Sequence, residues 1–350
     1  MKIIKVSSFA GASEALPTVS NFGGSYYFGA NFSYLEQIVT KDKTFVITDT
    51  HVFESNQQLF EGWQTIVLPA GEEHKQQATV DFIIGELITR NADRTSFIVG
   101  VGGGVVTDIT GYAASIYMRG VKFGFVPTTI LAMVDASIGG KNGVDVGIYK
   151  NLVGLIKQPE FLLFDYTFLN TLPHEQWING FAEVIKHACI KDAELFASLE
   201  NESIENFQKD KSKLADLIEK NVQIKTTVVV NDEFENGDRK LLNFGHTLGH
   251  AIENLYLLPH GHAVSIGMMA ACAISQSSNN FSSSDTERIK LLLEKYHLPT
   301  KYTFDKEKIW TILKMDKKRV NNSMNFILLN SIGEAMIQPI DLHELENLIH

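Results

Sequence analysis

The sequence predicts an α/β N-terminal domain of Rossmann-like alternation followed by a mainly α-helical C-terminal domain. Three observations carry this. Short apolar runs alternate with amphipathic segments through the first 166 residues, the pattern of a parallel sheet covered by helices. A glycine cluster, Gly100-Val101-Gly102-Gly103-Gly104, follows one such run and precedes a helical segment. From about Thr167 onward strand signals fade and a 3.6-residue period dominates.

Residues 44–49 read as a buried strand ending on a polar residue, and residues 65–69 as a second. Residues 96–101 make a third, with a helix starting near Val105 after the glycines, and residues 122–127 a fourth. Amide groups at a helix N-terminus on the carboxyl edge of a parallel sheet suit a dinucleotide or a phosphate. Asp108 stands four residues after Gly104, not in a full Gly-x-Gly-x-x-Gly context, so a tight turn is the competing reading. Residues 201–213 read as a charged, mostly solvated stretch. Residues 275–285, rich in Ser and Asn, read as a polar loop between helices, with Ser284 and Glu287 as a capping box for the helix that follows. A weak strand signal returns at residues 326–329. The expected domains are 1–166 and 167–350, with a cleft between them as the natural site.

At 350 residues the chain has length for two domains, and 44% hydrophobic with 21% charged residues is ordinary for a globular protein. The longest apolar stretch, near residues 263–274, falls short of the roughly 20 residues a bilayer span needs. Lys2 and Lys5 precede no apolar run of signal-peptide type, and Cys189 and Cys272 are the only cysteines, so a reducing cytoplasm is expected. A net charge of −10 argues against nucleic acid and membrane surfaces as partners. Arg119, Lys141, Lys150, Lys186, Lys225 and Arg239 nevertheless fall outside solvated charge runs, the distribution an anionic small-molecule site needs.

The run Leu241-Leu242-Asn243-Phe244-Gly245-His246-Thr247-Leu248-Gly249-His250-Ala251-Ile252-Glu253 is the densest in chemistry. At about 100° per residue Asn243, His246 and His250 share one helical stripe. Two imidazoles one turn apart can meet a single metal ion or substrate. His260 and His262 follow in a turn-rich stretch, Pro259-His260-Gly261-His262, and upstream Glu183, Lys186 and His187 stand at i, i+3 and i+4 of another helical pattern. Histidines at helical spacing also suit a packed core, and spacing alone leaves both readings open. Thr247 stands where His-Glu-x-x-His needs Glu, which excludes that zinc-protease motif.

Further blocks lie in order along the chain: Pro69-Ala70-Gly71-Glu72-Glu73-His74-Lys75, Gly102-Gly103-Gly104-Val105-Val106-Thr107-Asp108, Tyr117-Met118-Arg119-Gly120, Pro127-Thr128-Thr129 and Val134-Asp135-Ala136-Ser137-Ile138-Gly139-Gly140-Lys141. Lys150-Asn151, Ala182-Glu183-Val184-Ile185-Lys186-His187, Asp232-Glu233-Phe234-Glu235-Asn236-Gly237-Asp238-Arg239, His260-Gly261 and Asp316-Lys317-Lys318 complete the set. Over almost its whole length the chain resembles the 3-dehydroquinate synthase family, within the sugar phosphate cyclases. The resemblance implies the dehydroquinate synthase-like fold and a homodimeric, phosphate-eliminating lyase of the shikimate pathway. Its resident groups are NAD and a divalent metal, zinc or cobalt. Its substrate is the anionic sugar phosphate 3-deoxy-D-arabino-heptulosonate 7-phosphate. Oxidation at C5, loss of phosphate, reduction at C5 and an intramolecular aldol closure give 3-dehydroquinate with no net redox change.

Carried onto this sequence, the resemblance makes Glu183, His246 and His260 the metal ligands, one carboxylate and two imidazoles that leave positions open for substrate oxygens. Asp135, Lys141, Asn151, Lys186, Lys225, Arg239, Asn243 and His250 match catalytic or substrate positions. Lys141, Asn151 and Arg239 suit the phosphate, and His250 a proton shuttle near the C5 oxygen. Arg119 holds the anionic substrate from a partner subunit, and Lys317 or Lys318 pairs with its carboxylate. Asp49 suits a ribose hydroxyl, with an ordinary turn residue as the alternative. Glu72, Lys75, Gly103, Gly104, Val105, Asp108, Thr128, Thr129, Lys150, Phe168 and Thr171 match cofactor positions. Glu72 with Lys75 also reads as a solvated pair, and Thr171 as a cap for the next helix. His187 is left as structural. His262, Asn142, Asp145 and a short 253–260 loop depart from the family pattern, and they bear on which substrate is taken. The alternatives are a cyclase acting on sedoheptulose 7-phosphate or glucose 6-phosphate and a metal-dependent polyol dehydrogenase. Lys225, Arg239, Asn243, His250 and Asp316-Lys317-Lys318, all retained, favour the first reading. A paralogue that binds without turnover is the non-enzymatic alternative.

Overall fold

The computed structural model describes residues 1–6, 23–147, 149–314, 319–320, 323–341, 343 and 345. The first part of the chain carries β1 (Lys2–Lys5), β2 (Ser25–Phe28), α1 (Leu35–Ile38), β3 (Thr44–Asp49), α2 (Thr50–Ser55), β4 (Gln64–Leu68) and α3 (Gln77–Thr89). It continues through β5 (Phe97–Gly102), α4 (Gly104–Ile116), β6 (Lys122–Pro127), the hairpin β7 (Lys141–Val146) and β8 (Tyr149–Ile156), and β9 (Phe161–Phe164). Helices follow: α5 (His174–Lys191), α6 (Ala193–Leu199), α7 (Ile204–Lys209), α8 (Lys211–Asn231), α9 (His246–Tyr256), α10 (His260–Asn279), α11 (Ser283–Lys295) and α12 (Lys306–Lys314). A small sheet of β10 (Arg319–Val320), β11 (Ser323–Ser331) and β12 (Glu334–Asp341) comes last. None of these helices is long and apolar enough, among the described residues, to cross a membrane.

The chain divides into two compact units, residues 1–176 with 212–233 and residues 177–211 with 234–350. The first contains the seven-stranded sheet in the order β1-β2-β9-β6-β5-β3-β4. Only β1 and β2 pair antiparallel; every other neighbouring pair is parallel. Strands β3 and β9 are buried on both faces, which is why they read as continuous apolar runs and not as alternation. Residues 212–233, most of α8, belong to this first unit although they lie beyond the expected boundary at residue 166. Helical periodicity marks what a segment is, not which core it joins. The Lys225 ammonium on α8 holds Asp135 of the sheet unit at 2.7 Å.

The four strands expected from apolar runs are present within a residue or two. The sheet also recruits β1, β2 and β9, four residues each and too short to stand out. Residues 201–213 are mostly exposed, as expected, and contain α7 and the start of α8. Two expectations are corrected. Residues 275–279 continue α10, because the buried Ser275 hydroxyl bonds Ala271 O within the helix and receives Leu329 N of β11. The cap of α11 is Ser282, whose Oγ accepts from Ser284 N and Asp285 N, so Ser284 is already inside the helix.

The β7–β8 hairpin is fixed to α4 by Asn142, which is buried and donates to Gly140 O at 2.7 Å and Lys157 O at 2.9 Å. Its amide oxygen occupies the notch left by Gly111 on α4, where a Cβ would come within 1.9 Å. Asn142, one of the departures from the family pattern, therefore has a packing role. Gly111→Ala should lower unfolding stability by about 1–3 kcal/mol as those hydrogen bonds are displaced. A double-mutant cycle with Asn142→Ala should return most of that loss. Additive effects would remove the explanation.

Candidate active site

In the sheet unit, β5 delivers Gly102 and Gly103 to the N-terminus of α4. Gly103 caps the helix without a side chain, and a Cβ there would press on Thr129 at 3.2 Å. Thr128 N donates to Gly102 O at 3.0 Å, and its buried Oγ1 has no hydrogen-bond partner among the described residues. Thr129 Oγ1 accepts from Ala132 N. First-turn amides and a close glycine approach at a sheet's carboxyl edge are what a dinucleotide pyrophosphate requires.

Beside this edge, Lys75 is buried with its ammonium 2.6 Å from Asp108 Oδ2 and 2.6 Å from Asn151 Oδ1. Burial opposes its charge, but Asp108, Glu72 and Asp145 outweigh that and hold its pKa above the ordinary lysine value. Burial pushes Asp108 upward against the pull of Lys75. A solvated Glu72–Lys75 pair is therefore ruled out; Glu72 instead meets Lys150, at 3.4 Å. Asp135 lies in a π-helical turn, Ala132–Ala136, and both its Oδ1 and its carbonyl receive Lys225 Nζ at 2.7 Å. Single π turns recur at functional sites because they re-aim one side chain.

Other residues of this unit stand apart. Asp49 Oδ1 caps α2 by accepting from Val52 N at 3.0 Å, so the turn role is occupied while Oδ2 remains for a hydroxyl. The Phe168 ring packs in the core, 6.1 Å from Phe32 in an edge contact. Thr171 bonds Phe168 O and does not cap α5. Arg119 is exposed in a turn whose residues Met118, Arg119 and Gly120 all hold positive φ. Lys141 is exposed at the start of β7. Lys317 and Lys318 lie outside the described residues.

In the helical unit, α5 places Asn179, Glu183, Lys186 and His187 on one face. Asn179 Oδ1 accepts Gly261 N at 2.5 Å and so pins the start of α10 to α5. One turn along α5, Glu183 is fully buried and pairs with Lys186. Its Oε1 lies 3.2 Å from His260 Nε2 and 3.5 Å from His246 Nε2. The far nitrogens are tied back: His246 Nδ1 to Phe244 O at 3.0 Å, His260 Nδ1 to Glu253 Oε2 at 3.2 Å. Burial disfavours the His260 cation, but hydrogen bonds to Glu183 and Glu253 outweigh it and raise its pKa to about 10. His250 completes the cluster, its ring centre 5.0 Å from His246 and 6.1 Å from His260.

Two corrections follow for the histidine run. Asn243 does not share a helix with His246: it ends a 3₁₀ turn, Asp238–Asn243, and Gly245 at φ +77° reverses the chain before α9 begins. His260 is the first residue of α10 and not part of a turn. Asn243 Nδ2 donates to Glu235 Oε1 at 2.6 Å, beside the buried Arg239. Sequence reasoning passed over Glu235, Glu253 and Asn179. The last two had a legible signal, since Glu253 lies three residues after His250 on its helix and Asn179 four before Glu183.

Glu183, His246 and His260 offer ligand atoms that all lie within 4.8 Å of one another. One carboxylate and two imidazoles, each with its outer nitrogen held, is a donor set suited to zinc or cobalt. Residues 65–179 match the family model for the 3-dehydroquinate synthase N-terminal domain and residues 180–319 that for its C-terminal domain. The chain belongs to the 3-dehydroquinate synthase family. A 3-dehydroquinate synthase of Campylobacter curvus is 41% identical over 325 residues, covering 89% of this chain and 92% of its own. That of Picosynechococcus is 43% identical over 280 residues, 78% of this chain and 77% of its own. Among solved structures, 2-epi-5-epi-valiolone synthase from Streptomyces hygroscopicus, with NAD+ and Zn2+ bound, superposes with a TM-score of 0.86 at 26% identity, covering 96% of this chain and 98% of its own. A 2-deoxy-scyllo-inosose synthase complexed with carbaglucose-6-phosphate, NAD+ and Co2+ gives 0.80 at 25% identity, over 94% and 97%. The family's fold, a parallel sheet unit followed by a mainly helical one, is the fold expected from the sequence.

Proposed function

We propose that this chain converts 3-deoxy-D-arabino-heptulosonate 7-phosphate to 3-dehydroquinate and phosphate, with NAD and a divalent ion, zinc or cobalt, as resident groups. The observation that carries the reading is the convergence of Glu183, His246 and His260, with both imidazoles held from behind. When bound, NAD would supply the hydride acceptor and donor for C5, and the ion a Lewis acid for the C5 oxygen.

The chain's own residues do the rest. Glu183, His246 and His260 hold the ion. His250, beside them, takes the proton of the C5 hydroxyl and returns it. Lys186, paired with Glu183, belongs to the same cluster, Asn243 is a further catalytic group, and Arg239, Lys141 and Asn151 bind the phosphate through charge-assisted hydrogen bonds. Asp135 and Lys225, already paired, position the sugar hydroxyls, and Lys317 or Lys318 meets the carboxylate. Gly103, Gly104, Val105, Thr128 and Thr129 cradle the NAD pyrophosphate, with Asp49, Glu72, Lys75, Asp108, Lys150, Phe168 and Thr171 around it. The Phe168 contribution is through its backbone, because its ring is in the core. We place the enzyme in the cytoplasm as a homodimer, each site completed by the partner subunit's Arg119.

The test is release of inorganic phosphate from the heptulosonate phosphate with NAD+ and Zn2+ present, while NADH absorbance is followed. Stoichiometric phosphate without net NADH supports the reading. Turnover of sedoheptulose 7-phosphate alone, or accumulation of NADH without phosphate, replaces it with another cyclase or with a dehydrogenase. A second measurement addresses the metal directly. Glu253→Ala should weaken Zn2+ affinity about 10–100-fold in chelator competition, since it frees the His260 ring to rotate. Unchanged affinity would leave Glu253 no orienting role.

A further inference from the structure

The β7–β8 hairpin does not run in simple register. Val144 pairs with Val153 and Val146 with Tyr149, so Asp145 alone on β7 faces Lys150, Asn151 and Leu152 on β8. Such a bulge takes backbone groups out of the ladder and re-aims side chains. Asn151, at its centre, holds φ +52°, a left-handed conformation that Asn tolerates better than most residues. Its N–H is met by the carboxylate across the hairpin: Asp145 Oδ1 accepts Asn151 N at 2.6 Å. Asp145 is itself anchored, because its N–H donates to Lys75 O at 2.8 Å and it bridges to Gln76. The Asn151 side chain aimed by this bulge accepts Lys75 Nζ at 2.6 Å, and the same ammonium meets Asp108 at 2.6 Å. Asp145 therefore grips both partners by their backbones while their side chains close the ring.

We infer that Asp145 is a positioning residue of this site, its carboxylate holding Asn151 in the left-handed bulge and so keeping the Asn151 amide on Lys75. The inference rests on the proposed reading of Asn151 as a substrate contact and Lys75 as a cofactor contact. Toward Asn151 the geometry uses one acceptor oxygen on one N–H; the charge acts separately, on the Lys75 ammonium. An Asn at the position carries an acceptor of the same reach, and an Ala carries none.

The experiment compares Asp145→Ala and Asp145→Asn with the wild type, loaded with Zn2+ and NAD+, by amide hydrogen exchange across the hairpin and by steady-state kinetics. In Asp145→Ala the Asn151 amide should exchange about tenfold faster or more, as its acceptor is lost. The kcat/KM for the heptulosonate phosphate should fall about tenfold, chiefly through KM. NAD+ affinity should stay within about threefold, since Asp108 still holds Lys75. Asp145→Asn should restore exchange and KM to within about threefold of the wild type. The inference is overturned by a wild-type Asp145→Ala, or by an Asp145→Asn variant as impaired as Ala while its Asn151 amide stays protected. Where Ala does not fold, the Asn variant's exchange rate alone decides. Where the wild type releases no phosphate, exchange still tests Asp145, and the failure falls on the proposed reaction.

Discussion

His246→Ala should leave a folded protein that binds no divalent ion and releases no detectable phosphate. In the group Glu183, His246 and His260, His246 supplies one of the two nitrogens. Nδ1 of that ring is held by Phe244 O, which leaves Nε2 as the ligand atom the variant removes. Two other imidazoles stand near the remaining ligands, His187 by Glu183 and His250 by His260, but each belongs to a different ligand group from His246. Glu183→Ala would be a poorer test. Glu183 is the buried partner of the buried Lys186, and removing one member of such a pair costs about 3–5 kcal/mol in stability. Loss of activity there would mix metal loss with unfolding. The His246 variant is checked by metal content, by phosphate release and by its thermal transition in the absence of metal. A metal-replete, active variant would withdraw the ligand assignment.

How far the site could be read in advance depended on whether each residue's position follows from one segment or from several. Glu183, Lys186 and His187 share the face of α5 that their i, i+3, i+4 spacing predicts, because one long helix fixes them all. The histidine run misled at its start. The pattern Asn243, His246, His250 fits a helical stripe, yet Gly245 takes a left-handed turn that no periodicity records. The strands β3, β5 and β6 were legible because both faces are buried and the runs are continuously apolar. The β7–β8 hairpin was not, since its glycines, Asn142 and Asp145 break the alternation that marks a strand. Asn142 and Asp145 were visible only as departures from a family pattern. The first fills the notch at Gly111 and the second holds a bulge, and neither contact can be inferred without knowing what lies opposite.

Gly267→Ala should unfold at markedly lower temperature and, where still folded, bind Zn2+ more weakly. Gly267 lies on α10 where it crosses α9, and a Cβ there would stand 1.8 Å from Gly245 O and 2.9 Å from Gly249 N. Both obstacles are backbone, which cannot swing aside as a side chain does. The converse contacts are equally close: a Cβ on Gly249 would meet Ala263 O at 3.0 Å. The two helices therefore touch main chain to main chain, and one methyl must push them apart. Overpacking of this kind costs about 3 kcal/mol or more. Gly85 on α3 is the control, an exposed helical glycine with nothing within 4 Å of an added Cβ. There Ala should raise stability by up to about 1 kcal/mol through helix propensity alone. The functional consequence comes from what the crossing positions. It sets His246 and His260, one at the start of each helix, with ring centres 5.4 Å apart. Widening that distance spoils a chelate while leaving all three ligands in the sequence. Zn2+ titration well below the unfolding transition separates the two effects. Wild-type affinity in a destabilised Gly267→Ala would mean that the helix crossing supports the fold but does not set the metal geometry.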